Sequence, residues 1–258
     1  MNNMVFPHFK NKYEHEAFVK PSDYLEYKKR MGRYPKIKIP ENVLICYSRR
    51  FLNYYIKNHK MKRVEEVPRE FYLVNETKSQ VALLGGFGIG APAVVNVMEE
   101  LIALGVKKFI SIGEAGSLQK NIRIGDIVVC DRAIRDEGTS HHYLKYSKYA
   151  YPSKDLIEKI KLAFQKYKIK YFTGTNWSQD APYRETVKEV KHYKKQGVLT
   201  VEMEASAIFA LGKYRKVDVG AIFTISDSLS GFGWEPKFHI SKKNFEILFK
   251  VAIEALKS

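Results

Sequence analysis

The sequence has few cysteines and tryptophans, and it has no long uninterrupted apolar segment. It contains two cysteines in 258 residues, and both Cys46 and Cys130 lie in strand-like segments. This excludes a disulfide scaffold and predicts buried, reduced thiols. Residues 1–20 are polar and mixed in charge, and no apolar stretch reaches the roughly 20 residues that a membrane helix requires. We therefore expect a cytoplasmic protein that is neither exported nor inserted into a membrane.

Acidic residues are scarce relative to basic ones. The chain has 44 Lys and Arg against 28 Asp and Glu, which gives a formal net charge of +16. Basic clusters interleaved with tyrosine, as on polyanion-binding surfaces, occur at 28–30, 60–63 and 191–195. These clusters lie in separate predicted elements, however, and no nucleic-acid-binding motif accompanies them. We do not expect nucleic acid as a partner, although the positive surface favours the approach of phosphate and phosphorylated ligands.

Glycines are concentrated in Gly85-Gly86-Phe87-Gly88-Ile89-Gly90, but the cofactor signatures that use glycine are absent. The spacing is not G-x-G-x-x-G, and Gly105-Val106-Lys107 stands where a dinucleotide site would have an acidic residue. No Gly-Lys-Ser/Thr follows, which excludes a P-loop. The glycines would instead let the backbone approach an anion at a helix N-terminus. A tight strand-to-helix turn is the alternative.

Strands and helices alternate from Glu41 to Ser258, and no Ser/Gly/Pro-rich linker divides the chain. The predicted strands are 43–47, 71–74, 81–84, 109–112, 127–134 and 170–173, and the predicted helices are 49–58, 91–104, 154–167, 185–193 and 242–256. This alternation predicts an α/β fold in which residues 41–258 form one domain. Its central β-sheet is expected to be mixed, largely parallel, and covered by helices on both faces. In residues 1–40 prolines interrupt any long helix, and we expect an N-terminal extension that packs on the body or on a neighbouring subunit.

The segment Val201-Glu202-Met203-Glu204-Ala205-Ser206-Ala207 carries two acidic residues in an otherwise apolar stretch. Apolar residues recur at helical spacing as far as Leu211, which predicts the first turns of a helix. Glu202 and Glu204 would diverge by roughly 200° on a helix but share a face on an extended lead-in. In either case at least one carboxylate points to the interior, where it needs hydrogen-bond donors such as the hydroxyls of a ribose. A surface helix with scattered acidic residues is the alternative.

Three segments of the chain occur together: the glycine-rich run, this acidic segment, and the strand-like 219–225 followed by Ser226-Asp227-Ser228. In their order they resemble the nucleoside phosphorylase family, which includes purine nucleoside phosphorylases, uridine phosphorylases and related nucleosidases. The resemblance covers roughly residues 41 to 258. It implies a pentosyltransferase that cleaves the N-glycosidic bond of a nucleoside with inorganic phosphate as co-substrate and with no metal or organic cofactor.

The resemblance assigns the sugar and base sites residue by residue. Met203 would lie against the ribose, and Glu204 would accept hydrogen bonds from its hydroxyls. Asp227 would protonate a purine leaving group. Trp177 would pack on the base, for which a core tryptophan is the alternative. The remaining assignments are Glu202 and Ser226 at the base and His8, otherwise a solvent-exposed histidine, at the ribose of an adjoining subunit.

The phosphate site departs from the family pattern. The family's Gly-Asp-Pro-x-Arg turn is replaced by Cys46-Tyr47-Ser48-Arg49-Arg50, which keeps only Arg50. Arg69 corresponds to an arginine that hexameric members send into a neighbouring site, and Gly88 belongs to the segment that lines phosphate and sugar. Arginine suits phosphate because its planar fork donates two parallel hydrogen bonds. We therefore expect a homo-oligomer, a hexamer or a dimer, with shared active sites.

The turn predicted after strand 109–112 differs most from the family. Ser111 stands for a third arginine and Glu114 for a small hydroxyl residue. A carboxylate about 4 Å from phosphate would cost roughly 1 to 4 kcal/mol per pair of unit charges. In the first hypothesis Arg50 and Arg69 offset this cost, or burial raises the pKa of Glu114 so that the protonated carboxyl donates a hydrogen bond to a phosphate oxygen. In the second, Glu114 activates water and the enzyme is a nucleosidase; in the third, the protein binds nucleosides without turnover.

The sequence contains signals for both kinds of base. Arg135-Asp136-Glu137-Gly138-Thr139-Ser140 resembles the corresponding run of uridine phosphorylases, whereas Ser226-Asp227 resembles purine-specific members. The Gln-x-Arg pair that reads uracil is not evident, although Gln179 and Arg184 lie in the right region. We favour a purine nucleoside.

Overall fold

The computed structural model describes residues 9, 11–67, 69–231, 233–238 and 242–258, so His8 lies outside the described residues. The helices are α1 (Pro21–Arg30), α2 (Arg49–Asn58), α3 (Ala91–Ala103), α4 (Lys154–Lys166), α5 (Val187–Lys195), α6 (Ala205–Arg215) and α7 (Lys242–Lys257). The strands are β1 (Asn42–Cys46), β2 (Met61–Arg63), β3 (Glu70–Val74), β4 (Val81–Gly85), β5 (Lys108–Ser117), β6 (Ile127–Asp136), β7 (Tyr149–Ala150), β8 (Phe172–Gln179), β9 (Thr200–Glu202), β10 (Asp218–Ser228) and β11 (Glu235–Pro236). In this part of the chain no helix combines the length and the apolar character needed to cross a membrane.

The strands of the described residues form one mixed sheet. Strand β1 lies between β4 and β5, and β5 lies beside β10, with all four strands parallel. Strand β10 pairs with β6, β6 with β8, and β8 with β9, and β9 returns to β5. Together with the β5–β10 pairing, these four pairings close into a ring, from which β1, β4, β3 and β2 extend as an open wing. The carboxyl ends of the four parallel strands meet at one edge, which is where open α/β sheets bind ligands.

Helices cover both faces of the sheet, so the predicted fold class is confirmed. On one face α3 and α6 bury apolar side chains that include Met98 and Phe209. On the other face α2, α4 and α7 bury a second set that includes Phe51 and Phe249. Helix α2 has the bounds predicted from the sequence, because its apolar residues recur at helical spacing and Ser48 precedes it in an extended conformation.

Strand β5 continues through the residues predicted to form a turn after Ile112. Glu114 and Gly116 pair with Thr224 and Asp227 of β10. Glycine at position 116 leaves room for two side chains, because a Cβ there would lie 2.7 Å from a Leu229 methyl group and 2.9 Å from a carboxylate oxygen of Asp227 and would displace them. The predicted turn is therefore wrong, and Glu114 lies on a strand inside the ring.

Helix α6 begins at Ala205, later than predicted. Val201 and Glu202 belong to β9, where Val201 pairs with Gly116 of β5. Glu202 therefore lies on an extended segment that leads into the helix, which is the second of the two possibilities given above. Glu204 is the N-cap residue of α6. Both carboxylates are buried.

The N-terminal region contains a helix that the sequence did not predict. Pro21 begins α1, because proline is compatible with the first helical position, where no intrahelical N–H bond is made. The buried Leu25 and the packing of α1 against α3 attach this segment to the body.

Candidate active site

Arg50 and Glu114 form an ion pair beyond the carboxyl end of β1. Arg50 Nη2 lies 2.5 Å from Glu114 Oε1, and the Arg50 guanidinium packs on the Phe245 ring at 5.1 Å. Burial raises the pKa of Glu114 despite the opposing effect of Arg50, and the charge of Asp227 raises it further. The pair borders a cleft of about 480 Å³ whose other lining residues are Ser48, Pro236 and Phe238.

Asp227 is buried at the end of β10 and accepts two hydrogen bonds. Ser226 Oγ donates to Oδ1 at 2.7 Å, and Trp234 Nε1 donates to Oδ2 at 2.8 Å. The Ser226 hydroxyl therefore orients Asp227, whereas the sequence placed Ser226 at the base. Trp234 was not predicted as a site residue, because no motif connects it to Asp227.

Glu204 is buried beside the glycine-rich loop. The backbone N–H of Gly90, the N-cap of α3, donates to Glu204 Oε1. Burial and the negative charge of Glu202 raise the pKa of Glu204 above its ordinary value. Met203, next to it, is half-buried. Gly88 has a φ of +94° and open space on its side-chain side, so its backbone can lie against a ligand near Glu204.

Tyr47 connects this carboxylate to β5. Its hydroxyl lies 2.9 Å from Ser111 Oγ, and its ring contacts Phe87 of the glycine-rich loop with 5.4 Å between centroids. Burial raises the pKa of Tyr47 well above its ordinary value, with the charge of Glu204 as the next cause. Tyr47 and Ser111 thus fill positions where the family pattern has charged residues.

The Glu202 carboxylate forms its hydrogen bonds with groups of the protein itself, whereas the sequence placed Glu202 at the base. Its Oε1 accepts hydrogen bonds from Asn176 Nδ2 at 2.6 Å and Ser178 Oγ at 2.5 Å. Its Oε2 accepts from the backbone N–H groups of Glu204 and Ala205, at 2.8 and 2.9 Å. Glu202 therefore joins β8 to the N-terminus of α6 and holds Glu204 in place.

Trp177 lies in the core. This position matches the alternative to the prediction that Trp177 packs on the base. It is 1% exposed and packs with Leu118 and Val201. Its Nε1 donates to Asp136 Oδ2 at 2.8 Å. The ring thus has no face open to a base.

Arg69 does not join Arg50 within one chain. It precedes β3 with a φ of 68°, a conformation that costs a non-glycine residue about 1 to 3 kcal/mol. Its side chain borders a different cavity of about 1090 Å³, between the N-terminal segment and α3. In this cavity Glu100 Oε2 is buried without a hydrogen-bond partner among the described residues.

Glu185 is a further acidic group beside Asp227 that the sequence analysis missed. Gln179 Nε2 donates to Glu185 Oε1 at 2.7 Å. Burial raises the pKa of Glu185 to about 7, and the charge of Asp227 contributes to this rise. Gln179, which the sequence placed near the base, is thus paired with Glu185, whereas Arg184 is exposed. Glu185 could have been identified from the sequence as an acidic residue that follows shortly after the end of β8.

Replacing Glu185 by Gln should stabilise the protein at alkaline pH. The folded-state pKa of about 7 exceeds the ordinary value of 4.5. Folding stability is therefore lost as pH rises through this range, because ionising the half-buried carboxyl costs free energy. Urea unfolding should give Glu185→Gln a gain about 1 to 3 kcal/mol larger at about pH 8 than at about pH 5. Glu158→Gln, at an exposed position of α4, should show no such difference. Equal gains for Glu185→Gln at both pH values would contradict the prediction.

Comparisons with known proteins agree with the fold of this chain. The chain matches the sequence model of the phosphorylase superfamily over residues 45–256. It is 33% identical to a guanosine phosphorylase of Halorubrum lacusprofundi over 162 residues, which are 62% of this chain and 67% of the relative. It is 30% identical to a DeoD-type purine nucleoside phosphorylase of Streptococcus thermophilus over 195 residues, which are 74% of this chain and 89% of the relative. A uridine phosphorylase structure from Vibrio fischeri superposes with a TM-score of 0.72 at 25% identity, covering 85% of this chain and 92% of that one.

Proposed function

The chain belongs to the phosphorylase superfamily, and on this basis we propose that it is a nucleoside phosphorylase that acts on purine nucleosides. It transfers the ribosyl or deoxyribosyl group to inorganic phosphate and releases the free base and the sugar 1-phosphate. The observation that carries the proposal is that Arg50, Glu204 and Asp227 all lie at the carboxyl ends of the parallel strands. Arg50 follows β1, Glu204 binds Gly90 behind β4, and Asp227 ends β10, where its charge acts on the Glu114 that pairs with Arg50. A cation, a ribose acceptor and a proton donor are the three groups that this reaction needs.

Each group has one chemical role in the reaction. A phosphate oxygen attacks C1′ while the C–N bond breaks, and the bonding electrons leave with the base. Asp227 gives its proton to the departing purine, because a purine anion is a poor leaving group. Acid catalysis of this kind contributes about 10² to 10⁴ in rate. Glu204, held by Gly90 and Glu202, accepts hydrogen bonds from the sugar hydroxyls and fixes C1′ in line with phosphate.

Phosphate competes with Glu114 for Arg50. In the ion pair, Glu114 occupies the guanidinium that phosphate would use. Phosphate can enter if Glu114 takes up a proton, a step that the burial of Glu114 favours because burial raises its pKa. The protonated carboxyl then donates a hydrogen bond to a phosphate oxygen, so that Glu114 becomes a ligand of phosphate.

Hydrolysis is the second candidate function, and Glu114 is the observation that favours it. A partly buried carboxylate in a cleft beside Asp227 could activate water. This second reaction would release free ribose and would not depend on phosphate.

One assay separates the candidate functions. The protein is incubated with inosine, adenosine or uridine, with and without phosphate, and the sugar product is identified. We expect ribose 1-phosphate from a purine nucleoside only when phosphate is present. Free ribose without phosphate would establish a nucleosidase, reaction with uridine alone would establish a uridine phosphorylase, and no product would leave a nucleoside-binding protein.

We also propose a homo-oligomer, a hexamer or a dimer, in which Arg69 of one subunit completes the site of another. Arg69 and Arg50 border different cavities of one chain, and this difference and the strained backbone at Arg69 support the assembly. Exposed Phe9 and Phe18 beside the Arg69 cavity provide apolar surface for a subunit contact. Residues 1–40 would then serve as the extension that covers this contact. Sedimentation should give a mass above the 29.9 kDa of one chain, and an active monomer would contradict the assembly.

The proposed reaction uses phosphate as co-substrate and no cofactor. It suits a cytoplasmic enzyme, and the free, buried thiols of Cys46 and Cys130 support that location.

A further inference from the structure

Trp234 is joined to Asp227 by a short hairpin. Strand β11 pairs antiparallel with the end of β10, so that Pro236 lies opposite Asp227. The backbone N–H of Lys237 donates to Ser226 O at 2.9 Å. This pairing fixes the backbone next to Trp234, whose Nε1 lies 2.8 Å from Asp227 Oδ2.

The exposure of Trp234 is unusual for a tryptophan whose N–H binds a buried carboxylate. The side chain is 61% exposed, so burial of its ring contributes little to the stability of the fold. Phe238, 46% exposed, lies beside it with 6.0 Å between ring centroids. Phe238 also lines the cleft that contains Arg50 and Glu114. The two rings therefore form an aromatic surface at the mouth of the site.

We propose that Trp234 is a positioning residue for Asp227 and the aromatic wall on which the base stacks. The proposal rests on the proposed function and adds a residue to it. A carboxylate has about four lone-pair sites, and Ser226 and Trp234 use two of those on Asp227. One of the remaining sites holds the proton that Asp227 gives to the base, and a base that accepts this proton lies next to the indole. Stacking on an aromatic side chain suits a flat, weakly polar base.

The indole N–H also assists the proton transfer. When Asp227 gives its proton to the base, the carboxyl becomes a carboxylate, and a donor stabilises the charged form more than the neutral one. Trp234 and Ser226 are already placed to donate to it. Their hydrogen bonds strengthen as the C–N bond breaks, so the contact contributes to the transition state.

Two variants separate the roles of the N–H group and the ring. Trp234→Phe keeps an aromatic ring without the donor and should lower kcat by about 10-fold with little change in the nucleoside KM. Trp234→Ala removes both and should in addition raise that KM by about 10-fold. Tyr151→Ala is the matched control, because Tyr151 is 59% exposed and lines a different cavity. Thermal unfolding of each variant reports whether the fold is retained.

Base binding is measured without turnover by tryptophan fluorescence with hypoxanthine. The chain has two tryptophans, and Trp177 is in the core, so a base that stacks on Trp234 should quench wild-type emission. Trp234→Phe should abolish this change. The inference is overturned if wild type and Trp234→Phe share the same quenching, or if an active wild type and both variants have equal kcat and KM. Absence of ribose 1-phosphate from wild type would contradict the proposed function only, and the fluorescence result would then decide the inference.

Discussion

Asp227→Asn should lower kcat on inosine by about 10²-fold or more while changing KM much less. The substitution preserves the size of the side chain and its place beside Ser226 and Trp234. It removes the proton that the departing purine requires. The loss should therefore appear in the chemical step, which steady-state kinetics at saturating phosphate measures.

A change of substrate provides a direct control for this assignment. A purine nucleoside methylated at N7 already carries the positive charge that protonation would create, so its cleavage needs no acid. Asp227→Asn should cleave it at nearly the wild-type rate. Asp218→Asn, at the other end of β10, should leave both substrates unaffected. An unchanged kcat on inosine would remove Asp227 from the mechanism.

Glu114→Ser should lower the KM for phosphate and keep ribose 1-phosphate as the product. The change frees Arg50 from its ion pair and removes a negative charge beside the phosphate dianion. Because such a pair of charges costs roughly 1 to 4 kcal/mol, we expect phosphate to bind about 10-fold more tightly or better. Initial rates over a range of phosphate concentrations give this value.

The same variant also tests the hydrolysis hypothesis, which predicts a loss of activity where phosphorolysis predicts tighter phosphate binding. If Glu114 activates water, Glu114→Ser deletes the base and should cost about 10² to 10⁴ in hydrolytic rate. Glu114→Gln, which keeps the size of the side chain, should behave like Glu114→Ser in either case. In the wild type, the phosphate KM should rise with pH as Glu114 ionises, because burial raises its pKa, and both variants should lack this dependence. Loss of activity in an enzyme indifferent to phosphate would establish the nucleosidase.

Local patterns predicted most of the helices and the cores of the strands. Helix α2 and strand β4 are specified by apolar spacing within a few residues, and the structure places them close to their predicted bounds. The second halves of β5 and β8 carry glycine and polar residues that have weak intrinsic strand preference. They are strands because the ring closes around them, and no local pattern reports such distant pairing.

The site shows the same division between local and distant information. Motifs identified Glu204 and Asp227, which lie at strand ends that converge. They could not identify Trp234 or Glu185, because a hairpin and a short 3₁₀ turn bring these residues to Asp227. Glu202 was assigned to the base from its neighbourhood in the sequence. Two of its four hydrogen bonds come from Asn176 and Ser178 of β8, a strand that is distant in the sequence, so no local motif indicates this role.

The closed ring of strands also determines when this chain can fold during its synthesis. Lys108 in β5 pairs with Asp218 in β10, so a chain emerging from the ribosome cannot complete the ring until β10 has been made. Until then β5 has an unpaired edge with apolar neighbours, the kind of surface that aggregates. We therefore expect an unpaired β5 to be prone to aggregation during synthesis. Premature termination before β10 should yield insoluble fragments, which pelleting assays on fragments ending before and after β10 can test.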